Sequence, residues 1–310
     1  MSDIKIVALA GGVGGAKFAD GLAQALQPDQ LTIIVNTADD FTHLGLRISP
    51  DLDTVCYTLA GLANPDTGWG RENETWNVFT HLKRMGMPEW FQLGDSDLAT
   101  HIIRTVRTTN GWTLSQITRC FCETWGIKVH VLPMSDQDIQ TMVHTDEGIL
   151  EFQEYFVHRK CMPAVRGFTF EGILSSLPAP GVLDALKMAD AVVICPSNPW
   201  VSIDPILAVP HILTELQAHL VIAVSPIIGN QTVKGPAAKM FSELGIEPSA
   251  FAVAQHYGTI INSLVIDRSD FLLGERINAL GIGTYQTDII MHDRVDRNRL
   301  AMEVLAYIRG

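Results

Sequence analysis

The strongest constraint on the fold lies near the N-terminus, where four glycines crowd into five positions after an apolar stretch. Residues 4–9 are mostly apolar, AGGVGGAK occupies 10–17, and an amphipathic stretch follows at 18–26. Glycine permits positive φ and close backbone approach, and the free N–H groups at a helix N-terminus favour an anion. We therefore predict a strand-to-helix turn that binds phosphate, with a plain tight turn as the alternative.

The spacing of this turn excludes two standard nucleotide motifs. A dinucleotide fingerprint starting at Gly12 needs a third glycine at the position of Lys17. A P-loop needs Gly-Lys-Ser/Thr, but Ala16 separates Gly15 from Lys17, and Phe18 follows. A phosphate cradle here would be of another type.

Composition and charge limit the function classes. The 310 residues are 47% hydrophobic and 18% charged, which predicts a globular protein with a large core. The net charge of −12 argues against nucleic acid as a partner, and an anionic substrate would need a local cation such as Mg²⁺. The N-terminus lacks a signal peptide pattern, no apolar run is long enough to span a membrane, and the five cysteines are scattered. We expect a cytoplasmic protein without membrane contact.

The order of apolar stretches predicts an α/β fold. Five short apolar strands lack the alternation of a sheet with one wet face, so they predict a Rossmann-like parallel sheet with both faces covered. These strands are Lys5–Leu9, Leu31–Asn36, Ala191–Cys195, Leu220–Ser225 and Leu264–Asp267.

A long segment with a different residue pattern separates the second and third strands. It predicts helices at Leu52–Leu62, Glu74–Met85, Asp95–Thr108 and Leu114–Trp125, then strands at Lys128–Leu132, Thr141–Thr145, Ile149–Val157 and Val165–Phe170. We predict a core formed by 1–63 and 181–310. Residues 64–180 would be a helical plus β insertion that forms a lid or second lobe.

Polar loops follow three of the predicted core strands, at 36–54, 196–202 and 225–239. Ligands of open parallel sheets bind outside the carboxyl ends of the strands, an edge that the glycine turn shares. Ser197, Asn198, Ser225 and Asn230 offer neutral donors and acceptors for a base or ribose, and Gly229 permits backbone approach. Ordinary turn chemistry is the alternative for each loop taken alone.

The first of these loops is acidic. Asp39, Asp40, Asp51 and Asp53 lie within fifteen residues, with Arg47 between them. One carboxylate could cap the helix that starts near Ser49, but capping does not explain four. Carboxylates beside a phosphate cradle are how proteins commonly hold Mg²⁺, so we predict a magnesium site here.

Several long motifs, in order along nearly the whole chain, resemble the 2-phospho-L-lactate transferase family of coenzyme F420 biosynthesis. They are GGVGGAKF at 11–18, VN and DD within 35–40, ISPDLDT at 48–54, GWGRENETW at 68–76, LGDSDLATH at 93–101, PSNP at 196–199 and SPIIG at 225–229. The resemblance implies transfer of a three-carbon acid phosphate from its guanosine diphosphate derivative to the ribityl hydroxyl of the deazaflavin FO, with release of GMP.

The resemblance also implies roles for residues. The diphosphate would bind Gly11, Gly12, Gly14, Gly15 and Lys17, and the guanosine end would bind Ser197, Asn198, Ser225, Gly229 and Asn230. Asp39, Asp51 and Asp53 would hold Mg²⁺, with Asp51 and Asp53 catalytic and Asp53 the proposed base. FO would bind Trp69, Arg71, Asp95, Asp97, Thr100 and His101 in the insertion, and Trp76 offers a further flat surface. Core packing is the alternative for the tryptophans.

The glycine turn and NETWN at 73–77 are more similar to bacterial than to archaeal family members, which favours a phosphoenolpyruvyl over a 2-phospho-L-lactyl donor. The family suggests a homodimer. One rival is a non-catalytic UDP-sugar-binding regulator on the same core, whose acidic loop typically carries PPGD where this chain has SPDLD at 49–53. The other rival is a nicotinamide-dependent oxidoreductase. Such enzymes bind the ribose with an acidic residue at the end of the second strand, and this chain has no acidic residue there.

Overall fold

A seven-stranded parallel sheet with helices on both faces is the centre of the computed structural model, which describes residues 4–232 and 235–310. The strands are β1 Ile6–Ala10, β2 Leu31–Val35, β3 Phe41–His43, β4 Leu46–Ile48, β5 His130–Pro133, β6 Gln140–Thr145, β7 Gly148–Glu151, β8 Val165–Glu171, β9 Ala191–Ile194, β10 Leu220–Val224, β11 Ile227–Ile228, β12 Gln231–Thr232, β13 Ser263–Asp267 and β14 Gly283–Thr287.

Helices connect these strands. They are α1 Gly12–Ala25, α2 Pro50–Leu59, α3 Asn77–Arg84, α4 Asp95–Thr109, α5 Leu114–Thr124, α6 Val182–Lys187, α7 Asp204–Ala208, α8 Ile212–Leu216, α9 Ala237–Glu243, α10 Ala250–Tyr257, α11 Gly274–Asn278 and α12 Arg294–Arg309. Short 3-10 turns occur at Pro28–Gln30, Ile173–Ser175, Gly258–Ile260 and Arg268–Leu273, and π-helical turns occur at Glu154–His158 and Pro199–Ile203. Within the described residues, no helix is both long and apolar enough to cross a membrane.

The strand order of the main sheet is β14-β13-β10-β9-β1-β2-β5, and every neighbouring pair is parallel. The five predicted core strands are all present in it. Strands β1 and β9 are buried along their whole length, because helices cover both faces of the sheet. The predicted α/β, Rossmann-like fold class is confirmed.

Two strands of the main sheet were not assigned to it from sequence. Strand β5 pairs with β2, although its residues lie in the range predicted as insertion. Strand β14 was not predicted at all, because this edge strand, GTYQT, buries only Thr287 and carries no apolar run. The division into a core and a 64–180 insertion stays a prediction, and the sheet takes one strand from within that range.

The rest of that range contains α3, α4 and an antiparallel sheet of order β7-β6-β8. The predicted strand 149–157 was wrong in its second half, since β7 ends at Glu151 and a π-helical turn follows. Phe152 and Tyr155 are buried, and the rings of Phe152 and Phe156 stack with centroids 5.3 Å apart. Apolar spacings of three and four are helical, and this signal outweighs the local strand propensity.

Helices α1 and α12 pack side by side on one face of the main sheet. The carboxylate of Asp20 in α1 is only 1% exposed and pairs with Arg294 and Arg297 at 3.0 and 3.1 Å. A Cβ on the neighbouring Gly21 would collide with the backbone carbonyl of Arg297. The close approach of the two helices therefore requires glycine at position 21.

This contact predicts the cost of adding one methyl group. We expect Gly21→Ala to lower the free energy of unfolding by about 1–3 kcal/mol, because the obstacle is backbone and must shift. Gly167→Ala is the matched control, since a Cβ there meets nothing within 4 Å. Thermal unfolding followed by circular dichroism compares the two variants, and equal midpoints would contradict the proposed packing.

Candidate functional site

The turn between β1 and α1 lies at the carboxyl edge of the sheet and contacts two of the polar loops. The backbone N–H of Gly11 donates to Ser197 Oγ at 3.2 Å, and that hydroxyl donates to the Gly11 carbonyl at 2.8 Å. The N–H of Gly12 donates to Asp51 Oδ1 at 2.8 Å. The glycine turn, the acidic loop and the loop after β9 therefore meet, as the sequence predicts.

Helix α1 begins inside this turn. Gly12 has a φ of +62°, and no side chain caps the helix at Gly11. A Cβ on Gly14 would collide with the Pro196 carbonyl, and one on Gly15 would lie 2.5 Å from Ser197 Oγ. Packing thus requires glycine at 11, 14 and 15 whether or not a ligand binds, whereas a Cβ on Gly12 would meet only Asp51 Oδ1, at 4.0 Å.

Asp51 is held at the centre of the crevice. Its Oδ2 accepts from the Asn36 side chain at 2.9 Å, and that amide group also donates to the Val201 carbonyl at 3.1 Å. With Gly12 bonded to Oδ1, the carboxylate lies between the end of β2, the start of α1 and the first turn of α2. The positive ends of two helices therefore stabilise its negative charge.

Asp39 faces this carboxylate, and contacts with Thr141 and Asn36 offset only part of the effect of its surroundings on its pKa. Burial raises the pKa of Asp39 well above its usual range, and the charge of Asp51 raises it further. Burial also raises the pKa of Asp51 to about 6, although Asn36 and Gly12 oppose this. Asp39 Oδ1 is buried and accepts no hydrogen bond within residues 4–232 and 235–310. A divalent cation would remove the repulsion between the two carboxylates and satisfy this oxygen.

The third predicted magnesium ligand, Asp53, has a different partner. Its Oδ1 accepts from Arg104 Nη2, and its Oδ2 lies 3.7 Å from His101 Nδ1. In the part of the chain that the structure describes, no group of three or more His, Cys, Asp or Glu side chains is arranged as a metal site. Asp53 therefore does not join Asp39 and Asp51 in a three-carboxylate metal site within the described residues.

A buried polar network continues from Asp53 along α4. Arg104 Nη1 lies 3.0 Å from His101 Nδ1, and His101 Nε2 lies 3.3 Å from Asp97 Oδ1. The Tyr57 hydroxyl lies 2.8 Å from the same Asp97 oxygen. The sequence analysis missed Arg104 and Tyr57, but the spacing of Asp97, His101 and Arg104 places all three on one face of a helix and could have revealed Arg104.

The basic side chains near the crevice are engaged elsewhere. The ammonium group of Lys17, predicted to bind the diphosphate, donates to the Met291 carbonyl at 3.1 Å. Arg47 pairs with Asp138, and Arg104 pairs with Asp53. Each of these three cations therefore has an acidic or carbonyl partner within the protein.

The residues predicted to hold the guanosine end form local turns. Asn198 accepts from the Trp200 N–H at 3.1 Å and so caps the π-helical turn that follows, and the Ser225 hydroxyl donates to the Ile227 carbonyl at 2.8 Å. The Gly229 N–H donates to Asp270, and Asn230 has a φ of +65°. Ordinary turn formation, the alternative to ligand binding, therefore explains the hydrogen bonds of the Asn198 and Ser225 side chains.

A shallow pocket open to solvent lies in the predicted insertion. Its walls include Trp69, Trp76, Arg71 and Asp97. The two tryptophans are 48% and 40% exposed, so they are not core side chains. A flat aromatic ligand could stack on them while Arg71 and Asp97 contact its polar atoms.

The other predicted deazaflavin contacts lie outside this wall. The carboxylate of Asp95 accepts from Thr75 and from the backbone N–H groups of Asn77 and Val78, so it caps α3. These hydrogen bonds, that from Thr75 first, lower the pKa of Asp95 to about 2. Thr100 and His101 are 3% and 2% exposed and lie behind the surface.

Comparison with known proteins decides between the families considered above. The sequence profile of the family described as 2-phospho-L-lactate transferase CofD matches residues 6–306. The chain is 43% identical to a phosphoenolpyruvate transferase of Streptomyces avermitilis over 98% of both chains. It is 38% identical to a 2-phospho-L-lactate transferase of Methanosarcina mazei over 96% of this chain and 98% of the relative.

The chain belongs to this family. It is therefore an enzyme of the transferase class. The family is that of coenzyme F420 biosynthesis, as the sequence motifs predict. The alternatives of a non-catalytic sugar-nucleotide regulator and an oxidoreductase were wrong. The fold is similar to that of BH3568 from Bacillus halodurans, with a TM-score of 0.64 at 17% identity over 99% of each chain, and at this identity the likeness shows the fold alone.

Asp40 provides a pH test of the buried acidic loop. Burial raises its pKa to about 8 although Ser49 donates to it at 2.6 Å, whereas an unfolded aspartate has a pKa of about 4. The stability contributed by this raised pKa is therefore complete below about pH 4 and is lost as the pH rises towards 8. Asp40→Asn cannot ionise, so we expect the wild-type thermal midpoint in EDTA to fall relative to that of the variant over this range. Parallel pH profiles would contradict the burial of this charge.

Proposed function

We propose that this enzyme transfers a phosphoenolpyruvyl group from its guanosine diphosphate derivative to the ribityl hydroxyl of FO. The hydroxyl oxygen forms a bond to the phosphorus that carries the three-carbon acid, the diphosphate linkage breaks, and GMP leaves. The hydroxyl proton passes to a base. The product is the dehydro form of coenzyme F420-0.

The choice of three-carbon group follows the relatives. Five relatives named phosphoenolpyruvate transferase are 40–44% identical to the chain, and three named 2-phospho-L-lactate transferase are 37–38% identical. This difference favours a phosphoenolpyruvyl donor, with the 2-phospho-L-lactyl derivative as the second candidate.

One observation supports placing the reaction at the acidic loop. Buried polar atoms that lack a hydrogen-bond partner are rare in native proteins and point to a missing ligand, ion or water. The described residues of the acidic loop and its neighbours supply a group of them, on Thr37, Asp39, Asp40, His43, Asp53, His101, Arg104 and Thr141. The N-terminus of α1 lies beside them through the contact of Gly12 with Asp51.

The roles of the chain's residues follow from this arrangement. Transfer of a phosphoryl-type group depends mainly on positioning and on neutralising the oxygens. Asp39 and Asp51 would hold Mg²⁺. The ion would add positive charge beside the substrate oxygens, since the nearby basic side chains are bonded to other groups of the protein. The first turn of α1 would donate N–H groups to the diphosphate, and Asp53 Oδ2 would accept the proton of the attacking hydroxyl.

The direct test is to incubate the protein with FO, the guanosine diphosphate donor and Mg²⁺, and to detect the deazaflavin product and GMP by mass spectrometry. We expect excess EDTA to abolish product formation. We expect Asp39→Asn to lower kcat by about 100-fold or more, because the charge that holds the cation is lost. Asp184→Asn, an exposed carboxylate of α6, is the control and should retain activity. Full turnover in EDTA would contradict the role of the cation.

The location of FO has its own test. We expect Trp69→Ala to weaken FO binding about tenfold, or about 1.4 kcal/mol, because the variant loses an exposed stacking surface. Trp112→Ala removes a tryptophan of similar exposure, 44%, that is not part of the pocket wall. Titration of FO fluorescence compares both variants, and calorimetry with GDP shows whether the nucleotide site is intact. Equal FO affinity in the two variants would place the acceptor elsewhere.

A further inference from the structure

The guanidinium group of Arg104 is buried behind the candidate site, and the residue is 3% exposed. Nη2 donates to Asp53 Oδ1 in α2, and Nη1 lies 3.4 Å from the Arg47 carbonyl in β4 and 3.0 Å from His101 Nδ1 in α4. Burial lowers the pKa of Arg104, but the charge and hydrogen bond of Asp53, together with the charges of Asp40 and Tyr57, outweigh burial, and the pKa is raised. A permanently charged group therefore connects three elements at this point.

The two oxygens of Asp53 are in different situations. Oδ1 is bonded to Arg104, whereas Oδ2 is buried and has no hydrogen-bond partner among the described residues. Because Arg104 can only donate, His101 Nδ1 must be an acceptor, so this ring nitrogen provides no proton to Asp53 Oδ2 at 3.7 Å. The carboxylate is thus fixed through one oxygen, while the other, although buried, has no hydrogen bond to hold it.

We propose that Arg104 is a positioning residue of the transfer reaction, which orients the Asp53 carboxylate so that Oδ2 receives the acceptor hydroxyl. This inference rests on the proposed function, in which Asp53 contacts that hydroxyl. Arg104 itself contacts neither substrate. Its effect on turnover passes entirely through Asp53.

Stability alone does not account for this arrangement. A buried ion pair adds little stability compared with apolar side chains of similar size, because both charges must lose their water. Arg104 also leaves its own Nε buried and, among the described residues, without a hydrogen-bond partner, which costs further free energy. A charged side chain at this cost is better explained by the orientation it imposes on Asp53.

The test is a double-mutant cycle in kcat with Arg104→Gln, Asp53→Asn and the combined variant, assayed with FO and the guanosine diphosphate donor. We expect Arg104→Gln to lower kcat about 100-fold while KM for both substrates changes less than about threefold. In the Asp53→Asn background the same change should lower kcat less than about threefold, since its target is gone. A merely structural role would give the same loss in both backgrounds.

Arg107→Gln is the matched control. This arginine lies one turn further along α4, where its guanidinium stacks over Trp112 with its central carbon 4.8 Å from the ring centroid. The control should keep kcat within about twofold of the wild type, because it does not contact Asp53. If Arg104→Gln does not fold, Arg104→Lys replaces it, and we expect about a tenfold loss of kcat because an ammonium group cannot contact Asp53 and His101 together.

The outcomes distinguish failure of the proposed function from failure of the proposed role of Arg104. Wild-type protein that forms no product from FO and the donor overturns the proposed function. Active wild-type protein with additive effects of Arg104→Gln and Asp53→Asn, or with wild-type kcat in a folded Arg104 variant, overturns only the role of Arg104. Circular dichroism and GDP affinity, both expected to be unchanged, show that the variants are folded.

Discussion

The hydrogen bond from the Gly12 N–H to the Asp51 carboxylate is the contact on which the candidate site depends. It joins the start of α1 to the first turn of α2, and Asn36 at the end of β2 holds the second carboxylate oxygen. Two helix N-termini and one strand end are thereby fixed around a single side chain. The same contact puts a negative charge beside the proposed diphosphate site, and in the proposed reaction a cation would lie between the two anions.

A protein with a net charge of −12 can bind an anionic donor only through local positive potential. The nearby basic side chains are already committed, with Lys17 bonded to the Met291 carbonyl and Arg47 to Asp138. The N–H groups of the first turn of α1 would supply part of this potential, and a cation bound at the unsatisfied oxygen of Asp39 would supply the rest. The donor and the cation would therefore bind together, because each supplies the charge that the other requires.

The parts of this structure that the sequence predicts are those with strong local signals. Continuous apolar runs revealed five core strands, whereas the polar edge strand β14 has no such run and depends on pairing with β13. The acidic motif predicted that these carboxylates lie at the carboxyl edge of the sheet. It did not predict which partner each carboxylate takes. The direction of Lys17 depends on Met291, which is 274 positions away in the chain, and the pairing of Asp53 depends on a helix of the predicted insertion. Such long-range contacts have no local sequence pattern.

Helix α4 connects the pocket in the insertion to the acidic loop. Asp97 forms part of the pocket wall, while Arg104, two turns further along the same helical face, holds Asp53. The two positions are separated by about 10 Å of helix axis, and His101 lies between them with contacts to both. All three side chains are largely buried, so a shift of α4 would disturb the contact of Asp97 with His101 and that of Arg104 with Asp53 together. An acceptor bound against Asp97 therefore rests on the same rigid face that orients the carboxylate proposed to receive its proton.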